Sequence, residues 1–264
     1  MVKHLAIGPG AMGYFMFLGV ASRLKHAGHL DDLEEISGSS AGALLAGLYC
    51  LTKGDVAKIL DWSLDVPVKT LMKPNIKNLL RNYGLISRTK LAEVIAKGCA
   101  DFAGNSELTF AELHRHWPVK LHLASYCVDL AKTVYFSVDT TPDMKIKDAA
   151  SASIAIPFVI SGLKRDDGWN YIDGGAGEAT PCGPFLGKTD VLGIRITSDF
   201  YIKVKDIKTY ALSILYAVMK QRPGYDHFPH IVLETNGLDL FDFSASRDVK
   251  LRMFLEGFSQ GIIK

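Results

Sequence analysis

No stretch of the 264-residue chain carries the roughly 20 consecutive apolar side chains that a bilayer-spanning helix needs. The opening, MVKHLAIGPG, has only a short apolar run before its glycines, which is not the layout of a secretory signal. Cysteine is scarce. Cys50, Cys99, Cys127 and Cys182 stand far apart, with no C-x-x-C pair and no Cys/His ligand spacing. Their scatter argues against a disulfide framework or a structural metal and predicts buried free thiols in a reducing compartment. An excess of one charge is also missing: a formal net charge of +2, without a polybasic tail at either end, gives no electrostatic footprint for a nucleic acid. Internal repeats and low-complexity segments are absent as well. What remains, 48% hydrophobic and 22% charged residues, is the composition of an ordinary globular protein. The expected location is the cytoplasm.

Short apolar runs that stop at glycine alternate with helical patterns. HLAIG and LEEISGSS read as buried strands, each followed by a helix, YFMFLGVASRLKHAG and AGALLAGLYCLTKG. KLHLASYCVDL and KTVYFSVD read as a hairpin turning at Leu130 and Ala131. KIKDAASASIAIP reads as a helix that ends before Pro157; WNYIDGG, TDVLGIRITSD and HIVLETNG read as strands. YALSILYAVMKQ and SASRDVKLRMFLEGFSQGIIK complete the set as helices. From Asp55 to Gly98 the pattern is helical but broken at Pro67 and Pro74. Alternation of this kind predicts an α/β fold, a three-layer α/β/α sandwich around a mostly parallel central sheet. A single domain over residues 1–264 accommodates it.

Gly8, Gly10 and Gly13 spell G-x-G-x-x-G after the first strand, the spacing of a dinucleotide-binding turn. Such a turn needs an acidic residue at the end of the second strand to hold the ribose. Asp31, Asp32, Glu34 and Glu35 lie at the right sequence distance, but they precede that strand. The strand ends instead in Gly38-Ser39-Ser40-Ala41-Gly42, which fits G-x-S-x-G, a nucleophile elbow. There a sharp strand-to-helix turn lifts the Ser40 hydroxyl to a helix N-terminus, where free amides favour developing negative charge. The opening glycines then have another use. Gly8, Gly10 and Ala11, on a neighbouring strand, are placed to offer backbone N–H donors to a tetrahedral oxyanion.

Ser40 needs a base. His227 and His230 would complete a Ser–His–Asp esterase with Asp173, yet both sit in the short segment YDHFPHI without further catalytic signature. Asp173 is the better candidate, because YIDGG puts its carboxylate at the end of a strand and follows it with two glycines. A carboxylate is a weak base in water, but burial raises its pKa and positioning offsets much of the deficit.

Taken in order, these stretches resemble the patatin-like phospholipase family. Gly8-Pro9-Gly10-Ala11-Met12-Gly13 is similar to its oxyanion motif G-G-G-x-[KR]-G, and Gly38-Ser39-Ser40-Ala41-Gly42 to its serine elbow. ASIAIP, from Ala152 to Pro157, resembles its A-S-x-A-x-P block, and Asp173-Gly174 its D-G-[GA] motif. NYGLISRTKLAEVI is a looser match. The catalytic motifs lie within residues 5–181. The resemblance implies hydrolysis of acyl esters of glycerolipids through an acyl-serine on a Ser40–Asp173 dyad, with no cofactor and no catalytic metal. Pro9, which removes one backbone donor, and Met12, where the family usually has a cation, depart from the pattern; so does Ala179, where the family often has asparagine. These departures leave open a catalytically weak or inactive member that holds an acyl chain without cleaving it.

Between Val66 and Lys90 lie six basic residues, Lys69, Lys73, Lys77, Arg81, Arg88 and Lys90, and no acid, interleaved with apolar side chains. A solvated helix packed on the core would show this pattern. So would a segment that rests on an anionic membrane surface, giving a cytoplasmic protein with peripheral membrane contact.

Overall fold

A computed structural model describes residues 1–197 and 222–263, together with positions 204, 210, 213, 214 and 217. The chain begins β1 (His4–Ile7), α1 (Tyr14–His26), β2 (Glu35–Gly38), α2 (Ala41–Leu51), α3 (Val56–Asp65), α4 (Val68–Leu71) and α5 (Ile76–Asn82). It continues through β3 (Gly84–Ile86), α6 (Arg88–Ala103), α7 (Phe110–His116), β4 (Lys120–Cys127), β5 (Lys132–Ser137) and α8 (Ile146–Ser153). Last come β6 (Phe158–Ile160), β7 (Leu163–Lys164), β8 (Asn170–Asp173), β9 (Val191–Ile196), β10 (His230–Leu233) and α9 (Arg247–Gln260).

β10, β9, β1, β2 and β4 lie side by side in that order, all parallel. Parallel strands are covered on both faces, which is why β1 is buried throughout. Leu5 and Ile7 point into the main core with Phe17, Ile36 and Leu123, while Ala6 between them faces the other side with Cys182, Phe185 and Val191. The result is the expected α/β sandwich around a mostly parallel sheet. All four cysteines are buried free thiols.

β4 organises the rest. β5 runs antiparallel along one of its edges from His122 to Cys127. Its other edge is shared: β2 pairs parallel up to Leu123, and β8 pairs antiparallel from Ser125 to Cys127. The C-terminal ends of β2 and β8 therefore meet head to head, Gly38 opposite Leu123 and Asp173 opposite Ser125. Two residues along one strand span about 7 Å. Segments 133 residues apart in sequence are thus brought together by a single strand.

One local expectation changes, and one helix was not foreseen. The broken helical pattern from Asp55 to Gly98 contains a strand, β3, which pairs with β6 in a separate two-stranded sheet. Tyr83, in the left-handed region at φ 59°, ends α5, and Gly84 passes so close to β6 that a Cβ there would lie 2.1 Å from the Ser161 nitrogen. The segment Phe110–His116, without a strong apolar period, forms α7 on a Thr109–Glu112 capping box. The helix expected over YALSILYAVMKQ lies outside the described residues apart from isolated positions.

Candidate active site

β2 ends at Gly38 and α2 starts at Ala41, so Ser39 and Ser40 must turn the chain. Ser40 does so at φ 54°, ψ −123°, a conformation disfavoured for any residue with a side chain. Glycines make the turn passable: a Cβ on Gly38 would lie 2.3 Å from the Gly42 oxygen, and one on Gly42 only 2.1 Å from the Ile7 oxygen. Hydrogen bonds then hold the strained residue. Ser39 N–H donates to the Ile7 carbonyl at 3.1 Å, and Ser40 N–H to Ser153 Oγ at 3.2 Å. The Ser153 hydroxyl donates in turn to the Ala124 carbonyl at 2.5 Å, so α8 and β4 brace the elbow together.

Ser40 Oγ donates to Asp173 Oδ2 at 2.7 Å, and Asp173 Oδ1 accepts the Gly175 N–H at 2.7 Å. The two side chains are buried, at 6% and 4% exposure. Burial pushes the Asp173 carboxyl up to about 6, against the opposing pull of the Ser40 and Gly175 hydrogen bonds and the positive charge of Arg222. The Arg222 guanidinium also donates to the Gly175 carbonyl, bracing the turn that follows the aspartate. A carboxylate with a pKa near 6 is ionised at neutral pH and still basic enough to take a proton.

The glycine loop needs one correction. Gly8 was expected to offer an oxyanion donor, but its N–H donates to the Ile194 carbonyl at 2.9 Å and is committed to holding β1 against β9. Gly10, Ala11 and Ala41 differ: their amides meet no acceptor among the described residues. Ala11 adopts φ 47°, and Ala11 and Ala41 line the same cavity as Ser40. Ala41 is the first residue of α2, where free amides are expected, and the residue after a nucleophile is a usual oxyanion donor. Pro9 packs on the turn after the dyad aspartate, leaving no room for a side chain at Gly175.

The histidines lie elsewhere. The His230 ring bonds the Phe228 carbonyl at 2.8 Å on β10, three strands from β2, and His227 packs on Phe228 and Tyr225. A Ser–His–Asp arrangement therefore has no geometry here; the partner of Ser40 is Asp173. Among the described residues no cluster of three His, Cys, Asp or Glu side chains is placed to hold a metal ion.

Behind Ser40 opens a cavity lined almost wholly by apolar side chains. Its walls come from α2 (Leu44, Leu48), α4 (Leu71), α6 (Ile95), α8 (Ile146) and the approach to β6 (Ile156). Among the described residues, Ser40 and Ser63 are its only hydroxyl-bearing lining residues besides Tyr14, and the Tyr14 and Ser63 hydroxyls satisfy each other at 2.7 Å. No charged residue among those described lines it. An aliphatic chain is the ligand such walls accept.

Sequence reasoning did not assign roles to Ser153, Arg222 or Ala41. Ser153 lay within the block ASIAIP, but its role depends on the distance from α8 to the elbow, which no local pattern encodes.

A family model described as patatin-like phospholipase matches residues 5–186. No curated protein matches the sequence. Among solved structures, VipD from Legionella pneumophila superposes over 98% of this chain and 66% of its own, with a TM-score of 0.62 at 15% identity. The type III effector protein ExoU, also solved with SpcU from Pseudomonas aeruginosa, superposes over 98% of this chain and 52% of its own, with a TM-score of 0.51 at 19% identity. The chain thus spans just under two thirds of one and about half of the other. At such identities the likeness is one of fold.

Proposed function

The chain belongs to the patatin-like phospholipase family, and from that premise we propose that it is a single-domain lipid acyl hydrolase that cleaves acyl esters of glycerolipids through an acyl-serine on Ser40. The observation that carries this reading is the 2.7 Å hydrogen bond from Ser40 Oγ to Asp173 Oδ2 beside an uncharged cavity. As Ser40 Oγ attacks the ester carbonyl, its proton moves to Asp173 Oδ2. The tetrahedral oxyanion is met by the free amides of Ala11 and Ala41, with Gly10 beside them in the loop; one such donor contributes about 3–4 kcal/mol to the transition state. Asp173 returns the proton to the leaving alcohol, and the acyl chain stays in the cavity. Asp173 then draws a proton from water, the resulting hydroxide attacks the acyl carbonyl, and Ser40 is released.

The lipid arrives at a surface suited to it. Ile76, Leu80 and Tyr83 of the α5 region are 70–78% exposed, and Phe158, which pairs with Gly84, is 60% exposed at φ 65°. Lys69, Lys73, Lys77 and Arg81 lie along the same segment. Its neighbours Leu71, Met72, Ile156 and Ile160 line the cavity. Apolar tips amid lysines, next to the cavity wall, suit an anionic bilayer surface. Arg88 is the exception: it bonds Ser151 at 2.6 Å and Asp148 at 3.3 Å, tying α6 to α8.

Labelling with a fluorophosphonate, followed by mass spectrometry of the modified peptide, tests the chemistry. The expected adduct is on Ser40 and largely disappears in Asp173→Asn. A folded wild type that takes no label would leave a protein that binds acyl chains without cleaving them.

A further inference from the structure

Ser40, Ala43, Leu44, Gly47, Leu48 and Leu51 line the cavity at a spacing of three, one, three, one and three, which marks a single helical face, and Ala41 lines it beside Ser40. This face is a track leading from the nucleophile along α2. Gly47 lies seven residues, or roughly 10 Å, along it.

Glycine weakens a helix interior, so each helical glycine needs a reason. Most have one in their packing. A Cβ on Gly19 would lie 2.0 Å from the Phe254 oxygen, on Gly42 2.1 Å from the Ile7 oxygen, on Gly98 3.2 Å from Trp62 and on Gly257 1.9 Å from the Met16 oxygen. At Gly47 nothing stands within 4 Å. Its φ is not in the left-handed region, so backbone conformation does not demand glycine either. What a side chain there would enter is the cavity itself.

We infer that Gly47 sets the length of acyl chain the enzyme accepts, because its missing side chain keeps the channel along α2 open beyond the first two helical turns. The inference rests on the acyl-hydrolase reading and deepens it. With C–C bonds of about 1.5 Å at tetrahedral angles, roughly eight carbons of an extended chain reach the level of Gly47. Chains shorter than that end before it; longer chains must pass it. The leucines on either side, Leu44 and Leu48, leave the glycine as the gap in the track.

The experiment is a series of p-nitrophenyl esters from butyrate to palmitate, with Gly47→Leu and Gly47→Ala beside wild type. The readout is the ratio of kcat/KM for palmitoyl over butyryl ester. Gly47→Leu should lower that ratio at least tenfold, with the break between octanoyl and dodecanoyl esters. Gly47→Ala, which improves helix propensity and so guards against loss of folding, should lower it about twofold to threefold. A ratio unchanged in both variants, or a loss spread evenly over all chain lengths, overturns the inference while leaving the hydrolase in place. A wild type that neither takes a fluorophosphonate on Ser40 nor turns over any ester overturns the hydrolase reading and this inference with it.

Discussion

Asp173 is held where a carboxylate is uncomfortable, and that discomfort suits it to the role of base in the proposed mechanism. Its pKa of about 6 exceeds the ordinary 3.8 because burial penalises the charged form. A carboxyl whose folded pKa is raised stabilises the fold fully below its unfolded pKa and loses that contribution as pH rises through the folded value. The ionised form at neutral pH therefore weakens the fold: 6 minus 3.8 is 2.2, which at 1.36 kcal/mol per unit is about 3 kcal/mol. Asp173→Asn should melt above wild type at pH 7.5, and the gap should close as pH falls toward 4. The same variant should lose about a thousandfold in ester turnover, and wild-type kcat/KM should fall along an acid limb near pH 6. Thermal melts and a pH–rate profile check both; a rate flat from pH 5 to 8 would remove Asp173 from the role of base. Ser40 and Asp173 were legible in the sequence because each stands between or before glycines at a strand end. Gly8 was misread because the commitment of its amide depends on the β1–β9 register, which no local spacing reveals.

Elements place these residues, and here legibility was uneven. The alternation of strands and helices predicted the parallel core, since buried parallel strands read as short apolar runs. The shared edge of β4, where β2 and β8 meet, was invisible: it joins a parallel to an antiparallel pairing between distant segments. α2 read simply as a helix, because a face lining an apolar cavity has the same composition as a face packed in the core. The basic segment was legible as amphipathic, but only the structure shows that α5 buries none of its residues. An α5 that served the core would bury Ile76 and Leu80. The triple change of Lys69, Lys73 and Lys77 to Glu should therefore weaken binding to vesicles containing anionic lipid by tenfold or more, since each cation near such a surface contributes about 1 kcal/mol. Wild-type binding should itself weaken with added salt. Vesicle sedimentation that responds to neither change would dismiss the membrane contact.

Across the whole molecule, the two ends of the parallel strands do different work. Their C-terminal ends gather Ser40, Asp173 and the free amides. Their N-terminal ends gather His4 of β1 and His122 of β4 around the partly buried carboxylate of Glu35 on β2: Glu35 bonds His122 at 2.8 Å and pairs with Lys188, while Phe185 packs on both imidazoles. Burial alone would raise the Glu35 pKa, but the hydrogen bonds and charges of His122 and Lys188 outweigh it and hold the carboxyl at about 2. Burial, aided by the Lys188 charge, pushes His4 the other way from protonation. A depressed carboxyl stabilises the fold above its unfolded pKa of about 4.5, and that contribution is lost as pH falls through the folded value. Glu35→Gln leaves the partly exposed Lys188 charge without its partner, a change expected to remove about 1 kcal/mol. Urea unfolding at pH 7 should show that loss, and the variant and wild type should converge as pH drops from 4.5 toward 2. Three residue steps of β2, about 10 Å, and then the turn at Ser39 separate Glu35 from Ser40, so the folded variant should keep its fluorophosphonate labelling. Loss of labelling in step with loss of stability would mean that the two ends of the sheet are coupled, and that the ion cluster holds the elbow as well as the fold.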